Sequence, residues 1–551
     1  MSKLKKTMAL FLLPVLVSVA EAQVIHDPND PLYKDLDWWA VRGYLTQALP
    51  MVRPYPAQLL DELLEEAAGR AAEAGDEAAA LRARRYRDAI APGSRALHAG
   101  ARAGAAGLDG DADPLLALFA EGTPRLRDWL AGSFAFAGYG STKSPAFVHQ
   151  TPGIYGPQAD LIPDDSGVGA VELLPHWTSA LTVGTGDFYF QAGLIRSSLG
   201  PLYDNGVIVG PQASRAGHFS LVYRRPKWTF EALWLELVAA DTTGQGRYPN
   251  KHMVTHIYSF RPIQALEVSF FESVVWGGRF EPLYLLPFSW LMASQAMADF
   301  GDNSLMGFLV RWSFIRNAQF LTQVYVDDIH FNDIMRFQFD TKYKFAAELG
   351  LVWAPERGPL RSLAGDYTIV FPYMYTHMYD LDPATYGTRY PSQTGYGGPH
   401  PNYQDYSHAG KNLGPDLEPN SDRISLRSTW NTLPSLDISL SAYLIRHGNA
   451  SQNRIDQDMM DGAYHDGSIF DDGNDDKPDY DNNYRSVRFL TQSVLETRLA
   501  GGIELSWRLP LRFGDVTLQA GYVAEYGWNR GLVRGNDGLV NYWSLGGTYR
   551  Y

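Results

Sequence analysis

Ten aspartates fall between Asp456 and Asp481, among them Asp471, Asp472, Asp475, Asp476, Asp479 and Asp481. Alternating carboxylates chelate Ca²⁺ when a glycine permits a tight turn. Gly473 supplies the glycine, but Lys477 stands where another oxygen ligand is wanted. The run Asp471–Asp481 therefore reads first as a solvated acidic loop and second as a Ca²⁺ site. His252 and His256 have the spacing of a metal pair on a helix. In a strand that spacing is roughly 13 Å, so no metal is expected there. Gly184-Thr185-Gly186-Asp187 lacks the third glycine of a dinucleotide loop and reads as a hairpin turn. No Gly-x-Ser-x-Gly, His-Glu-x-x-His or P-loop occurs. The chemistries carried by those motifs are not expected, and the chain reads as a non-enzyme.

The remaining chemistry-bearing residues are basic. Arg311, Lys342, Lys344, Arg423, Arg427, Arg498, Arg508 and Arg550 all fall on the polar side of segments that alternate polar and apolar residues. Glu348, Asp437, Glu504 and Glu525 share that side but are fewer. Two readings stand. The bases either brace a wall through ion pairs or face an anionic ligand, whose carboxylates or phosphates suit the guanidinium fork.

The elements that position these bases have period two. Arg423, Ser425, Arg427 and Thr429 alternate with Ile424, Leu426 and Trp430. Arg498, Glu504, Ser506 and Arg508 alternate with Leu499, Ile503, Leu505 and Trp507. Such strands, polar on one face and apolar on the other, fit a membrane barrel, which must close because lipid cannot satisfy a sheet edge. Short turns at 185–187, 224–227, 261–264, 314–318 and 431–435 alternate with long segments at 277–303, 378–420 and 447–484. Short turns are periplasmic and long loops extracellular in such barrels, and both chain ends in the periplasm require an even strand count. Alternation marks about 16 strands from residue 129 onward, with two more possible in 141–168.

Residues 23–128 are rich in Ala, Leu, Glu and Arg. Leu60, Leu63, Leu64, Ala67 and Ala71 follow helical spacing between Pro56 and Gly75. The Ala- and Gly-rich stretch 99–107 reads as a loose connection. The zone is expected to form a helical bundle at the periplasmic mouth. Upstream, Lys3, Lys5 and Lys6 precede the apolar run 8–20 and the small-x-small site Ala20-Glu21-Ala22. Residues 1–22 thus read as a signal peptide, with no cysteine for a lipid anchor. At the other end, Ser544, Gly546, Tyr549 and Tyr551 fit the terminal pattern of strands inserted by the barrel assembly machinery. The 32 Tyr and 14 Trp suit interfacial girdles, and the net charge of −14 argues against nucleic-acid binding. The expected organisation is a signal peptide (1–22), a helical periplasmic plug (23–128) and an outer-membrane all-β antiparallel barrel (129–551).

The stretch 266–278, LEVSFFESVVWGG, resembles the strand of the capsule assembly protein Wzi family that ends in Glu-Ser/Ala-Val-x-aromatic-Gly. Tyr284-Leu285-Leu286-Pro287, Asp302-Asn303 and Val324-Tyr325-Val326-Asp327-Asp328 follow, as in that family. Asp30-Pro31-Leu32-Tyr33 and Arg53-Pro54-Tyr55 are similar to its N-terminal helical region. The resemblance implies 18 strands, a periplasmic helical bundle and a lectin-like role holding capsular polysaccharide at the cell surface. It marks Glu272, Asp302, Asn303, Asp327 and Asp328 as motif positions. Strict alternation sets Glu272 on the apolar side, so either a bulge turns it inward or it lies above the membrane. The leading expectation is a surface-glycan binder whose partner is an acidic polysaccharide. The alternative is an anion-preferring porin or transport channel.

Overall fold

Asp30 caps the first described helix: its Oδ1 accepts the Leu32 N–H at 2.9 Å, with Pro31 at the first helical position. That cap starts α1, Pro31–Val41. Pro56 precedes α2, Ala57–Glu73, and Gly75, with φ +77°, lets the chain leave it. Asp76 then accepts the Ala79 N–H at 3.1 Å and opens α3, Glu77–Ile90. The stripe Leu60, Leu63, Leu64, Ala67 and Ala71 is buried, as its spacing predicts, against α1, α3 and the wall residues Ala131, Tyr189 and Val222. The computed structural model describes residues 27–90, 97–141, 167–168, 171–200, 206–240, 247–298, 301–328, 335–336, 344–376, 401, 403–433, 435–448 and 489–551. The signal segment, Lys342 and the Asp471–Asp481 run lie outside the described residues.

Eighteen long strands form one closed antiparallel barrel. In chain order they are β1 Leu97–Leu108, β2 Asp113–Gly122, β3 Leu130–Ser141, β4 Val171–Gly184, β5 Phe188–Ile195 and β6 Ala216–Arg225. There follow β7 Trp228–Ala239, β8 Tyr248–Ile263, β9 Leu266–Gly277, β10 Asn303–Ile315, β11 Ala318–Asp328 and β12 Lys344–Trp353. The last six are β13 Leu360–Val370, β14 Ser421–Leu433, β15 Leu436–Gly448, β16 Leu495–Leu511, β17 Gly514–Trp528 and β18 Gly538–Arg550. Closure pairs β1 with β18, Gly104 opposite Gly546 and Ala101 opposite Tyr549. Both described ends of the barrel and most of the short turns lie on one side, and the long connections lie on the other together with the four-residue β1–β2 turn.

The barrel therefore begins at Leu97, not at residue 129. Sixteen strands do lie from residue 130 onward, but the remaining pair is β1 and β2, within the segment expected to be helical. Within 141–168 only Gly167–Val168, a two-residue strand, is described beyond Ser141. The physical reason is side-chain size. Residues 99–107 are almost all Ala and Gly, so they carry no apolar/polar alternation to read. The small residues are required by the seam: a Cβ on Gly104 would stand 2.6 Å from the Leu545 carbonyl, and one on Gly100 2.1 Å from that of Tyr549.

The two halves of the lumen differ. Inward residues of β7 to β12 include Leu233, Met253, Phe271, Leu309 and Tyr325, which form a buried apolar core, and polar ones between them such as Glu231, Thr255, Ser273 and Gln323. The core packs on Met51 and Val52, threaded in from the periplasmic side, and on Val207, Ile208, Tyr375 and Tyr406 of connections folded inward from the other end. Val52–Arg53 pairs with Ser198–Leu199 as a small sheet inside the barrel. The other half, β14 to β18 with β1 and β2, keeps an open interior lined with small and polar residues. Outside, Leu116, Phe136, Trp177, Phe308, Trp312, Leu351, Leu426, Trp507, Leu545 and their like are exposed in the manner of a lipid face.

Candidate functional site

The site is the lumenal cleft on the β14–β2 side. Its floor is made by the plug. Asp35 on α1, fully buried, receives Arg82 Nε of α3 at 2.5 Å, the Tyr86 hydroxyl at 3.1 Å and the guanidinium of Arg361 on β13. Arg82 and Arg361 each also reach Asp437 on β15 at 3.3 Å. Arg361 lies over the Trp38 ring at 4.7 Å. Two acids and two bases thus tie the plug to the wall. Burial by itself would raise the pKa of Asp35. The Arg361 and Arg82 guanidiniums outweigh it and hold the carboxyl below its usual range. Around the mouth, Arg125 pairs with Asp61 at 2.9 Å, Arg224 with Glu62 at 2.6 Å, and Arg42 with Asp76 at 2.8 Å.

Above this floor lies a cavity of about 460 Å³. Lys34, Trp38, Arg82, Arg102, Arg361, Asp113, Asp437 and Glu504 give it four bases, three acids and an indole. Gly104, Ala106, Ser439, Ser506, Gln519, Gly521, Ser544 and Gly546 line its wall, so hydroxyl and amide groups face the space without filling it. No histidine lies among its described lining residues. Among the described residues no group of three or more His, Asp or Glu is arranged to hold a metal ion.

Higher on the same wall, Arg423 of β14 and Arg498 of β16 both stand opposite Ile445 of β15. They sit at one level, two strands or about 10 Å apart. Arg427 lies two pleat repeats, roughly 13 Å, below, opposite Ser441. The Tyr443 hydroxyl donates to Glu525 at 2.9 Å, and Arg530 pairs with Glu525 at 3.2 Å. Arginines set around tyrosines offer planar donors for an anionic group and amphipathic faces for an apolar one.

The predicted bases divide. Arg423, Arg427 and Arg498 share the cleft wall. Arg311 is across the barrel, ion-paired with Glu267 and donating to the Leu49 carbonyl at 3.2 Å. Lys344 is buried and donates to the Thr376 carbonyl at 2.8 Å. Arg508 pairs with Asp515 at the periplasmic end, and Arg550 with Glu121 at 2.7 Å. Lys342 is outside the described residues. Among the motif positions, Asn303 donates to the Gln404 carbonyl at 3.0 Å, Asp327 is half-buried at the end of β11, and the Asp328 side chain lies outside the described residues. Glu272 follows neither expectation. No bulge interrupts its pairing with His256 and Met306, so it faces outward, yet it is 1 % exposed. A connection covers it there. Arg82, Arg361, Arg102 and Tyr443 were missed. Arg361 sits at a register shift that breaks parity, and Arg102 lies in the unrecognised β1. Tyr443 was within reach, the next member of the inward series Asp437, Ser439, Ser441.

Fold and cleft together define an outer-membrane β-barrel with a helical plug. Among solved structures it resembles Wzi, an outer-membrane protein involved in group 1 capsule assembly in Escherichia coli and a carbohydrate-binding β-barrel. The two share 13 % identity over 97 % of this chain and 99 % of that one, with a TM-score of 0.53. OprD of Pseudomonas aeruginosa and OccAB2 of Acinetobacter baumannii are each 10 % identical over 83 % of this chain, and over 94 % and 97 % of their own, at TM-scores of 0.43. At such identities the likeness is one of fold. No protein-family model matches the chain, and no curated protein matches it.

Proposed function

We propose that this barrel binds an acidic polysaccharide at the cell surface and holds it there without catalysis. One observation carries the reading: the open half of the lumen ends on a floor of ion pairs instead of continuing as a bore. Asp35, Arg82, Asp437 and Arg361 join plug to wall beneath the cavity. A cleft closed below suits retention, and Arg423, Arg427 and Arg498 on its wall suit sugar carboxylates or phosphates. The carbohydrate-binding role of Wzi, which shares the fold, is consistent with this.

The test is equilibrium binding of an acidic polysaccharide to the refolded barrel, with Arg423→Gln/Arg427→Gln beside the parent. The double variant binds more weakly, and the difference shrinks as salt rises. Equal affinity would remove these arginines from the site. One observation favours the channel alternative: the cavity between plug and wall is large and lined by small residues. A steady anion-selective conductance of the parent in planar bilayers would replace the binding reading with that one.

A further inference from the structure

Register fixes which side chains of β7 to β9 face out. Trp234, Val254 and Val274 are opposite one another, as are Ala232, His256 and Glu272. Phe260, Val268 and Phe270 have the same parity and are exposed on the outer wall. Met253, Ile257, Phe271 and Val275, of opposite parity, belong to the lumenal core. His252, His256 and Glu272 are therefore on the lipid side, where a bare ionisable group is costly.

His252 packs between Trp234 and Trp276, and the connection between β9 and β10 covers His256 and Glu272. It is nominally extracellular but runs down the outside of the wall. Leu291 N, at the start of the helix α4 (Leu291–Ala298), donates to Glu272 Oε2 at 3.0 Å. His256 Nδ1 lies 3.0 Å from the Ser289 carbonyl and 3.5 Å from Glu272 Oε1. Tyr284 packs on Trp276 at 4.7 Å, and Phe288 stacks on Phe230 at 4.1 Å. Phe230 is level with Tyr258 and Phe270, six residues below Trp276. The connection thus descends roughly 20 Å along the strands. Its polar groups turn to the protein: the Tyr284 hydroxyl donates to Asp302 at 2.7 Å, and Arg279 pairs with Asp302 and Glu281.

Its outer surface has the opposite character. Every exposed residue in 279–298 is apolar, chiefly Phe280, Leu285, Leu286, Phe288, Trp290 and Met297. Phe288 is 62 % exposed and Met297 89 %. A loop in water would carry its charges outside and its rings inside. This one is inverted, and its surface continues sideways into Phe270, Phe308 and Trp312 of the lipid-facing wall.

We propose that 279–298 is a membrane-inserted flap, lying at membrane depth against the barrel with its outer surface on lipid acyl chains. Lipid is preferred over a second copy of the chain because no exposed polar side chain is present to fix a protein partner's register. Backbone of this kind is tolerated at membrane depth when its polar groups are satisfied by protein, and α4, Glu272, His256 and Asp302 supply that. The proposal is independent of what the cleft binds.

The chain has no cysteine, so single labels are clean. Leu286→Cys, Phe288→Cys and Met297→Cys, each carrying a nitroxide, are reconstituted in phosphatidylcholine vesicles. Phe308→Cys serves as the lipid reference and Asp128→Cys as the water reference. At all three sites the ratio of oxygen to nickel-chelate collision rates matches Phe308→Cys. Nickel access equal to that at Asp128→Cys would overturn the proposal. Shielding from both reagents would also overturn it, in favour of a second copy docked there.

Discussion

From the lumenal face of β7, Glu231 accepts the backbone N–H of Val52 at 2.8 Å. Its other oxygen accepts the neighbouring Met51 N–H at 2.9 Å and the Thr229 hydroxyl at 3.0 Å. One wall carboxylate thus satisfies the backbone of the plug segment at the point where that segment enters the buried core. Gln191 and Gln323 act in the same way, Gln191 donating to the Pro54 carbonyl at 3.1 Å and Gln323 accepting the Val207 N–H at 2.9 Å.

Replacing Glu231 with Ala leaves two buried backbone donors and the Thr229 hydroxyl unmatched, at a cost of about 1–3 kcal/mol each. The expected outcome is faster amide hydrogen exchange at Met51 and Val52 in the reconstituted protein, with the barrel still assembled. Unchanged exchange at both amides would show that this carboxylate does not hold the segment.

Asp35→Asn removes the anion shared by Arg82 and Arg361 and leaves both facing Asp437 alone. Breaking a buried pair in this way costs on the order of 3 kcal/mol. The plug should loosen, and planar-bilayer recordings should show openings that the parent lacks.

The same carboxylate makes plug docking sensitive to acid. Its pKa in the folded protein is below the ordinary 3.8, so its contribution is fully present above that value and is lost as pH falls through the lower, folded one. Openings, absent from the parent near neutral pH, should therefore appear in it on acidification below about 4, the ordinary carboxylate range. Asp35→Asn should lack this component. An identical acid response in parent and variant would assign it to other groups.

Deleting 27–90 should raise single-channel conductance, because α1 to α3 fill the periplasmic mouth while the wall begins at Leu97. Extending the deletion to residue 120 removes β1 and most of β2, and with them the partner of β18. That form should not give the heat-modifiable band of a closed barrel. A folded barrel from the longer deletion would contradict the closure at β1.

Much of this molecule follows from local pattern. Period-two alternation from β3 to β18 is legible because lipid on one side and a different environment on the other impose opposite demands on successive residues. Leu60, Leu63 and Leu64 reveal α2 by the same logic at helical spacing. The turn and loop rhythm is equally local, since a hairpin needs only a few residues. What the sequence could not carry is anything decided by contact between distant segments. β1 has no alternation because Gly100 and Gly104 meet the carbonyls of β18 too closely for a side chain and the residues between them are mostly alanine. Leu233, Met253, Phe271, Leu309 and Tyr325 are buried on the lumenal faces of β7 to β11 because Met51, Val52, Tyr375 and Tyr406 come to cover them, which no strand announces about itself. Arg311 and Arg423 have the same parity and residue type, yet one braces Glu267 beneath the threaded plug segment and the other stands on the β14–β15 wall opposite Ile445. Glu272 keeps its outward parity only because a connection folds down outside the wall to meet it. Parity assigns a side chain to a face, but the burial and partners of that face depend on chain that arrives from elsewhere.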